Sequence, residues 1–179
     1  MRKLAEHDKT KLIDLLSERL AFERTSVKLY DAIVEKLEAS NDDRALAIVD
    51  ELRVQRDQEQ EHEEWLAEEI RALGGDPHVT TQLAELALRE SKGIEDVILD
   101  GDDQLPHLLH ALLAAELTDN AGWDLLLALA DEAGDREAKR QFKKRMHEEQ
   151  DHLAFVHLAV RRLAFRSVLG EDVGMPTTV

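Results

Sequence analysis

The sequence of 179 residues contains no cysteine. Disulfide bonds, thiolate metal sites and cysteine-based catalysis are therefore excluded. Proline occurs only three times and aromatic residues make up 4% of the chain, while hydrophobic residues make up 43%. The most frequent residues are strong helix formers such as Ala, Leu and Glu. This composition predicts an all-α protein, and the length suits a single domain with a sizeable core.

Basic residues are also scarce, with 23 Lys and Arg against 39 Asp and Glu, for a formal net charge of −16. This balance argues against nucleic acid or an anionic membrane as a partner, and it is compatible with the attraction of cations. No stretch of about twenty apolar residues exists that could span a membrane. The first residues, MRKLAEHDKTKL, lack the apolar run of a secretory signal. The sequence predicts a soluble, cytoplasmic protein.

Apolar residues recur at helical spacing in four segments, which cover roughly residues 10–39, 43–73, 103–133 and 135–165. The first two segments and the last two are separated by short connections, near Asn41 and Gly134, and short connections make antiparallel neighbours. The connection over 74–104 is long enough to run the length of a bundle, with short helices expected near TQLAELAL and GIEDVIL. We therefore predict a four-helix bundle over residues 1–168, built from two antiparallel hairpins and a long crossover. Residues 169–179 are predicted to form a tail, either a simple extension or an arm that contacts a partner.

Each of the four apolar stripes is interrupted near its middle by glutamate, and two stripes also carry a histidine three residues later. The six residues are Glu23, Glu59, His62, Glu116, Glu149 and His152. Burial of an ionised carboxylate costs several kcal/mol unless it is paired or binds a metal. If the four glutamates are buried together, a shared source of positive charge must offset the cost of burying them.

The spacing of the glutamates supports a shared site. In an antiparallel pair of helices, residues equidistant from the turn face each other. The position midway between Glu23 and Glu59 is Asn41, inside the first short connection, and the midpoint of Glu116 and Glu149 lies beside the second. We therefore expect both pairs to lie at matching heights in the bundle.

The glutamate and histidine of each ExxH pair lie on one helix face, because residues three apart are neighbours on a helix. Four carboxylates carry a charge of −4, which two divalent ions balance, while neutral histidines add none. Oxygen and imidazole ligands without sulfur suit iron or manganese, with zinc as a substitute. The sequence thus predicts a two-metal site formed by the six residues. The alternative is a buried Glu/His network neutralised by a nearby basic residue such as Arg24, Arg56 or Arg145.

Some polar residues near these six have two interpretations. Asp119 is either a hydrogen-bond partner of a ligand histidine or a surface charge. Trp65 and Trp123 are most simply packing or subunit-interface residues. Glu148, like the other acidic residues beside the ligand positions, is predicted to lie on a solvated face.

The order Glu, ExxH, Glu, ExxH on successive helices resembles the ferritin-like di-iron carboxylate superfamily, which includes bacterioferritins and rubrerythrins. AELTDNAGW, around Glu116, is similar to a bacterial subgroup of that superfamily without an assigned role. The resemblance implies that His62 and His152 each bind one metal. It also implies bridging glutamates at Glu59 and Glu149, or at the other pair of glutamates. A tyrosine beside the site is expected at Tyr30, seven residues after the first glutamate.

This resemblance implies a protein that binds two iron ions and oxidises Fe(II) with dioxygen or hydrogen peroxide, as a ferroxidase or peroxidase. Rubrerythrin's cysteine-bound iron domain is absent from this cysteine-free chain, so electrons would come from an external donor. A homo-oligomer is expected, with a dimer favoured. The alternatives are a subunit of an iron-storage cage and a metal-binding stress or scaffold protein without turnover.

Overall fold

Helices follow one another through the part of the chain that the computed structural model describes, residues 1–170 and 174–176. Seven lie within these residues: α1 (Arg2–Glu38), α2 (Asp43–Leu46), α3 (Val49–Ala72), α4 (Gln82–Glu90), α5 (Lys92–Ile98), α6 (Leu105–Glu132) and α7 (Arg136–Leu169). A helix with the length and hydropathy of a membrane span is not found among the described residues.

The four long helices form two hairpins, because α1 packs against α3 and α6 packs against α7. Arg24 pairs with Glu63 at 3.0 Å and Arg56 with Asp31 at 2.7 Å, a register in which α1 and α3 run antiparallel. The crossover carries the two expected short helices, with α4 packed on α1 and α5 on α6. The predicted all-α four-helix bundle of two hairpins and a long crossover is confirmed.

Two boundaries differ from the sequence prediction. The helix expected over residues 43–73 is divided into α2 and α3 by a turn at Ala47 and Ile48. Ala45 and Ile48 are both fully buried, so this turn brings two apolar side chains to the end of the core. The first helix begins at Arg2 rather than near Thr10, with a local kink at Asp8.

The buried apolar residues form two separate clusters, one toward each end of the bundle. One contains Tyr30, Leu52, Leu112 and Val156 among others, and the second contains Leu20, Leu66, Trp123 and Phe142 among others. On each long helix the predicted site residues lie between the members of the two clusters. The polar centre is therefore enclosed along the bundle axis by apolar packing at both ends.

The predicted tail over 169–179 lies partly outside the described residues, since 171–173 and 177–179 are not among them. In the described part, Met175 is buried against the first apolar cluster, and Arg162 donates a hydrogen bond to the carbonyl of Gly174. The described part of the tail thus lies along the bundle.

Asp135 joins the N-termini of two helices. Its Oδ1 accepts from the Ala138 N–H of α7 at 3.1 Å, and its Oδ2 accepts from the Lys3 and Leu4 N–H groups of α1 at 2.8 and 3.3 Å. Burial opposes ionisation of Asp135, but these backbone hydrogen bonds outweigh it and lower the pKa of the carboxyl group. One ionised side chain therefore caps both helices.

We expect Asp135→Ala to lower the free energy of unfolding by about 1–2 kcal/mol at pH 7. Because the folded pKa is lowered, the stabilisation is fully present above the unfolded value of about 3.9 and is lost as pH falls through the folded pKa. Urea titrations measure the free energy of unfolding of the variant and of wild type at decreasing pH. The difference between the two should become smaller only in this acid range. Asp131→Ala, which removes an exposed pair with Lys139, is the control with little effect, and a loss independent of pH would contradict the ionised cap.

Candidate metal centre

All six residues predicted as ligands meet in the middle of the bundle. Glu23 comes from α1, Glu59 and His62 from α3, Glu116 from α6, and Glu149 and His152 from α7. Each is at most 2% exposed. The matched heights expected from the two midpoints therefore correspond to a real juxtaposition of four helices.

The six side chains form two overlapping groups, and within each group the ligand atoms lie within 4.8 Å of one another. One group consists of Glu23, Glu59, His62 and Glu149, and the second of Glu59, Glu116, Glu149 and His152. Glu59 and Glu149 belong to both groups. The centre is thus built from two positions that share two carboxylates, with one histidine and one further glutamate at each position.

Both histidines direct Nδ1 toward the shared carboxylates. His62 Nδ1 lies 2.7 Å from Glu149 Oε1 and 3.7 Å from Glu23 Oε2. His152 Nδ1 lies 3.2 Å from Glu59 Oε1 and 3.4 Å from Glu149 Oε2. The two oxygens of Glu149 therefore face different histidines, as a bridging carboxylate between two ions would.

The outer nitrogen of each histidine contacts the opposite hairpin. His62 Nε2 lies 3.0 Å from Glu148 Oε2, and His152 Nε2 lies 2.7 Å from Gln58 Oε1. The prediction that Glu148 lies on a solvated face was wrong: its side chain is 19% exposed and reaches across to the histidine of α3. These contacts fix the orientation of both rings and leave Nδ1 of each histidine available to bind a metal ion.

Two aromatic donors hold the glutamates that belong to one group only. The indole N–H of Trp123 donates to Glu23 Oε1 at 2.9 Å, and the Tyr30 hydroxyl donates to Glu116 Oε1 at 2.7 Å. Each donor lies seven residues after one of these glutamates and bonds to the other. Tyr30 is beside the centre, where the sequence placed it. The role of Trp123 was missed, although the same seven-residue spacing after Glu116 could have indicated it.

A buried ion pair lies beside this centre. Arg19, 1% exposed, pairs with Asp119 and with Glu18, and its guanidinium occupies space that a side chain at Gly122 would fill. Asp119 is thus neither a partner of a histidine nor a surface charge. The sequence offered no signal for this contact, because it joins residues one hundred positions apart.

The donor set fits bound cations. The Oε2 atoms of Glu23, Glu59 and Glu116 are buried and have no hydrogen-bond partner among the described residues, so a bound cation would offset the cost of their burial. The alternative of neutralisation by arginine has little support. Arg24 and Arg56 pair with glutamate and aspartate at the surface of the bundle. Arg145 is buried, but it donates to Gln141 and its guanidinium packs on the ring of Trp65 rather than on a glutamate of the cluster.

The electrostatics of the cluster favour the binding of positive charge. Burial raises the pKa of Glu59 well above its usual range, and the carboxylate of Glu149 raises it further. Burial raises the pKa of Glu116 to about 8, although His152 opposes the shift. Burial disfavours the charged form of His62, yet contacts with neighbouring glutamates raise its pKa. The raised pKa values mean that some groups of the cluster hold protons, and a bound cation would displace these protons.

The fold and the centre together define a ferritin-like helical bundle with a carboxylate–histidine cluster. The chain belongs to the ferritin-like domain family, which matches residues 13–165. None of the curated proteins compared with the chain matches it.

Two solved structures are similar in fold. One, of ferritin-like, diiron-carboxylate proteins from Bacillus anthracis str. Ames, has a TM-score of 0.65 and 18% identity, and the match covers 86% of this chain and 98% of that one. The other is the X-ray structure of the Desulfovibrio desulfuricans bacterioferritin, which describes that protein's diiron site in different catalytic states. It has a TM-score of 0.66 and 20% identity, with 95% of this chain and 91% of that chain covered. At these identities the likeness establishes the fold.

Proposed function

We propose that this chain binds two divalent metal ions, with iron as the leading assignment, and acts as an oxidoreductase of the ferroxidase or peroxidase type. Its substrates would be Fe(II) and either dioxygen or hydrogen peroxide. The observation that carries the proposal is the sharing of Glu59 and Glu149 by two ligand groups, each completed by one histidine and one glutamate. Two ions that share two carboxylates lie close together, and four carboxylates balance their charge.

The geometry favours Glu59 and Glu149 as the bridging residues over the other pair. Glu23 and His62 would complete one position, and Glu116 and His152 the second. Iron, manganese and zinc all accept this set of oxygen and nitrogen ligands. A pair of bound iron ions would supply the redox chemistry that the side chains of this cysteine-free chain cannot supply.

The surrounding residues orient the ligands and shield the centre. Tyr30 and Trp123 each donate to one oxygen of a glutamate, and the second oxygen of that glutamate has no hydrogen-bond partner among the described residues. Tyr30 is also the candidate for a group that acts directly in the reaction, since its hydroxyl is buried beside Glu116. The apolar clusters at both ends restrict water, which strengthens the electrostatic interactions inside. Reducing equivalents would come from an external donor.

The two similar solved structures support the choice of iron, because both are described as diiron proteins. We further propose a homo-oligomer, with a dimer favoured, in the cytoplasm. An iron-storage cage requires a much larger particle, and a scaffold protein requires no turnover. Particle size and reactivity therefore separate these functions.

The test is anaerobic reconstitution with Fe(II), metal analysis after removal of free iron, and rapid mixing with hydrogen peroxide or dioxygen. We expect two irons per chain and a fast rise in near-ultraviolet absorbance, from a small oligomer as judged by light scattering. Two irons without a fast reaction would contradict turnover and leave a binding role. A very large particle with many irons per chain would indicate storage, and no stoichiometric metal of any kind would contradict the site itself.

A further inference from the structure

The two halves of the centre are related by an approximate two-fold repeat, and the partners of the two histidines break it. The residue that directly precedes each ExxH glutamate reaches across to the histidine of the other hairpin. On α3 this residue is Gln58, which contacts His152 Nε2 at 2.7 Å. On α7 it is Glu148, which contacts His62 Nε2 at 3.0 Å. A neutral amide therefore occupies one half where a carboxylate occupies the other.

The corresponding contacts to the outer glutamates do not carry this difference in charge. Glu23 accepts a hydrogen bond from the neutral indole of Trp123, and Glu116 accepts one from the neutral hydroxyl of Tyr30. The shared carboxylates belong to both positions. The partner of each histidine is thus a direct contact at which the two positions differ in charge.

The difference matters because a histidine that binds a metal through Nδ1 carries its hydrogen on Nε2. A carboxylate that accepts this hydrogen makes the ring a stronger donor to the metal than a neutral acceptor does. With Nδ1 bound to a metal, His62 would donate from Nε2 to the carboxylate of Glu148, and His152 would donate from Nε2 to the amide oxygen of Gln58. The ring of His62 should therefore bind a cation more strongly than the ring of His152.

Nearby cations reduce this difference without removing it. Lys144 pairs with Glu148 at 2.9 Å, but the lysine side chain is 57% exposed, so solvent and salt screen its charge. Arg19 lies on the same side of the centre, and it is balanced by Asp119 and Glu18.

Arg145 is the third cation on this side. It is 7% exposed and attracts Glu148 and Glu23, but its guanidinium packs on the ring of Trp65 and forms no ion pair with either glutamate among the described residues.

From this asymmetry we infer that the two metal positions are inequivalent. The position formed with Glu23 and His62 fills first and holds its ion more tightly, and the position formed with Glu116 and His152 fills second and exchanges its ion more readily. This inference rests on the proposed two-metal centre, and it assigns Glu148 and Gln58 as positioning residues that set the order of loading.

Calorimetric titration with Co(II) under argon tests the order directly, without redox turnover. Wild-type protein should bind two ions per chain in two steps, with dissociation constants about tenfold or more apart. Glu148→Gln should weaken the tighter step by about tenfold, so that it approaches the weaker step, which stays nearly unchanged. Gln58→Glu should strengthen the weaker step by about tenfold, a gain that a merely structural role would not produce.

The double variant Glu148→Gln/Gln58→Glu should restore two well-separated steps with the order of the positions exchanged. Circular dichroism establishes that each variant keeps the wild-type helix content. Two equal steps in wild type, or a weakening of the second step rather than the first in Glu148→Gln, would overturn the inference while leaving the two-metal centre intact. Failure of wild type to bind two ions would instead contradict the proposed function.

Discussion

Glu149→Ala is expected to abolish binding of a pair of metal ions while leaving the helix content unchanged. The two oxygens of Glu149 face His62 and His152 separately, at 2.7 and 3.4 Å. Its removal therefore takes a ligand from both positions at once, and the affinity of each should fall by more than about 100-fold, beyond the effect of losing an outer hydrogen-bond partner. Metal content after anaerobic reconstitution with Fe(II), or titration with Co(II), measures the loss.

Comparison with other variants separates a bridging role from general damage. Glu116→Ala removes a residue of one position only, so one ion per chain should remain bound at the other. Asp151→Ala changes an exposed carboxylate on the same helix as Glu149 and should retain two ions. Retention of two ions in Glu149→Ala would refute the ligand assignment, and loss of helix content would require the same test on Glu149→Gln.

The sequence predicts the framework of this protein well because the relevant signals are local and periodic. The stripe that contains Glu59, His62 and Leu66 gives both the helix and the face that is buried. The distances of Glu23 and Glu59 from their common turn give the matching height. Since the two hairpins follow the same rule, the juxtaposition of all four helices could be anticipated before the structure.

The contacts around the centre were harder to predict, because they depend on which side chains reach across between helices. Glu148 is an acidic residue beside a ligand position, and this pattern is typical of a solvated helix face. Only the position of α3 reveals its contact with His62. Asp119 pairs with Arg19 across a hundred residues, and a single-sequence pattern carries no information on such a pair. The turn at Ala47 was missed because Ala, Leu and Val surround it without a Gly or Pro to mark an interruption.

The second large effect expected is a metal-dependent gain in stability. Without metal, the bundle buries four glutamates at 2% exposure or less, and several of their oxygens lack a hydrogen-bond partner among the described residues. An ion that binds the folded state alone stabilises it by about 2.7 kcal/mol at a free concentration of 100 times the dissociation constant. Two such ions would add about 5 kcal/mol, which corresponds to a rise of about 10–20 °C in melting temperature for a chain of this size.

Thermal unfolding followed by circular dichroism, with and without Co(II) under argon, measures this gain, and excess chelator should reverse it. Glu59→Ala is the matched control: Glu59 belongs to both ligand groups, so its removal should eliminate most of the shift. A full shift in this variant would place the stabilising ions elsewhere on the acidic surface. No shift in wild type would contradict a two-metal centre whose ligands are brought together by folding. The result therefore tests whether the buried carboxylates are destabilising groups that the protein retains for the metals they bind.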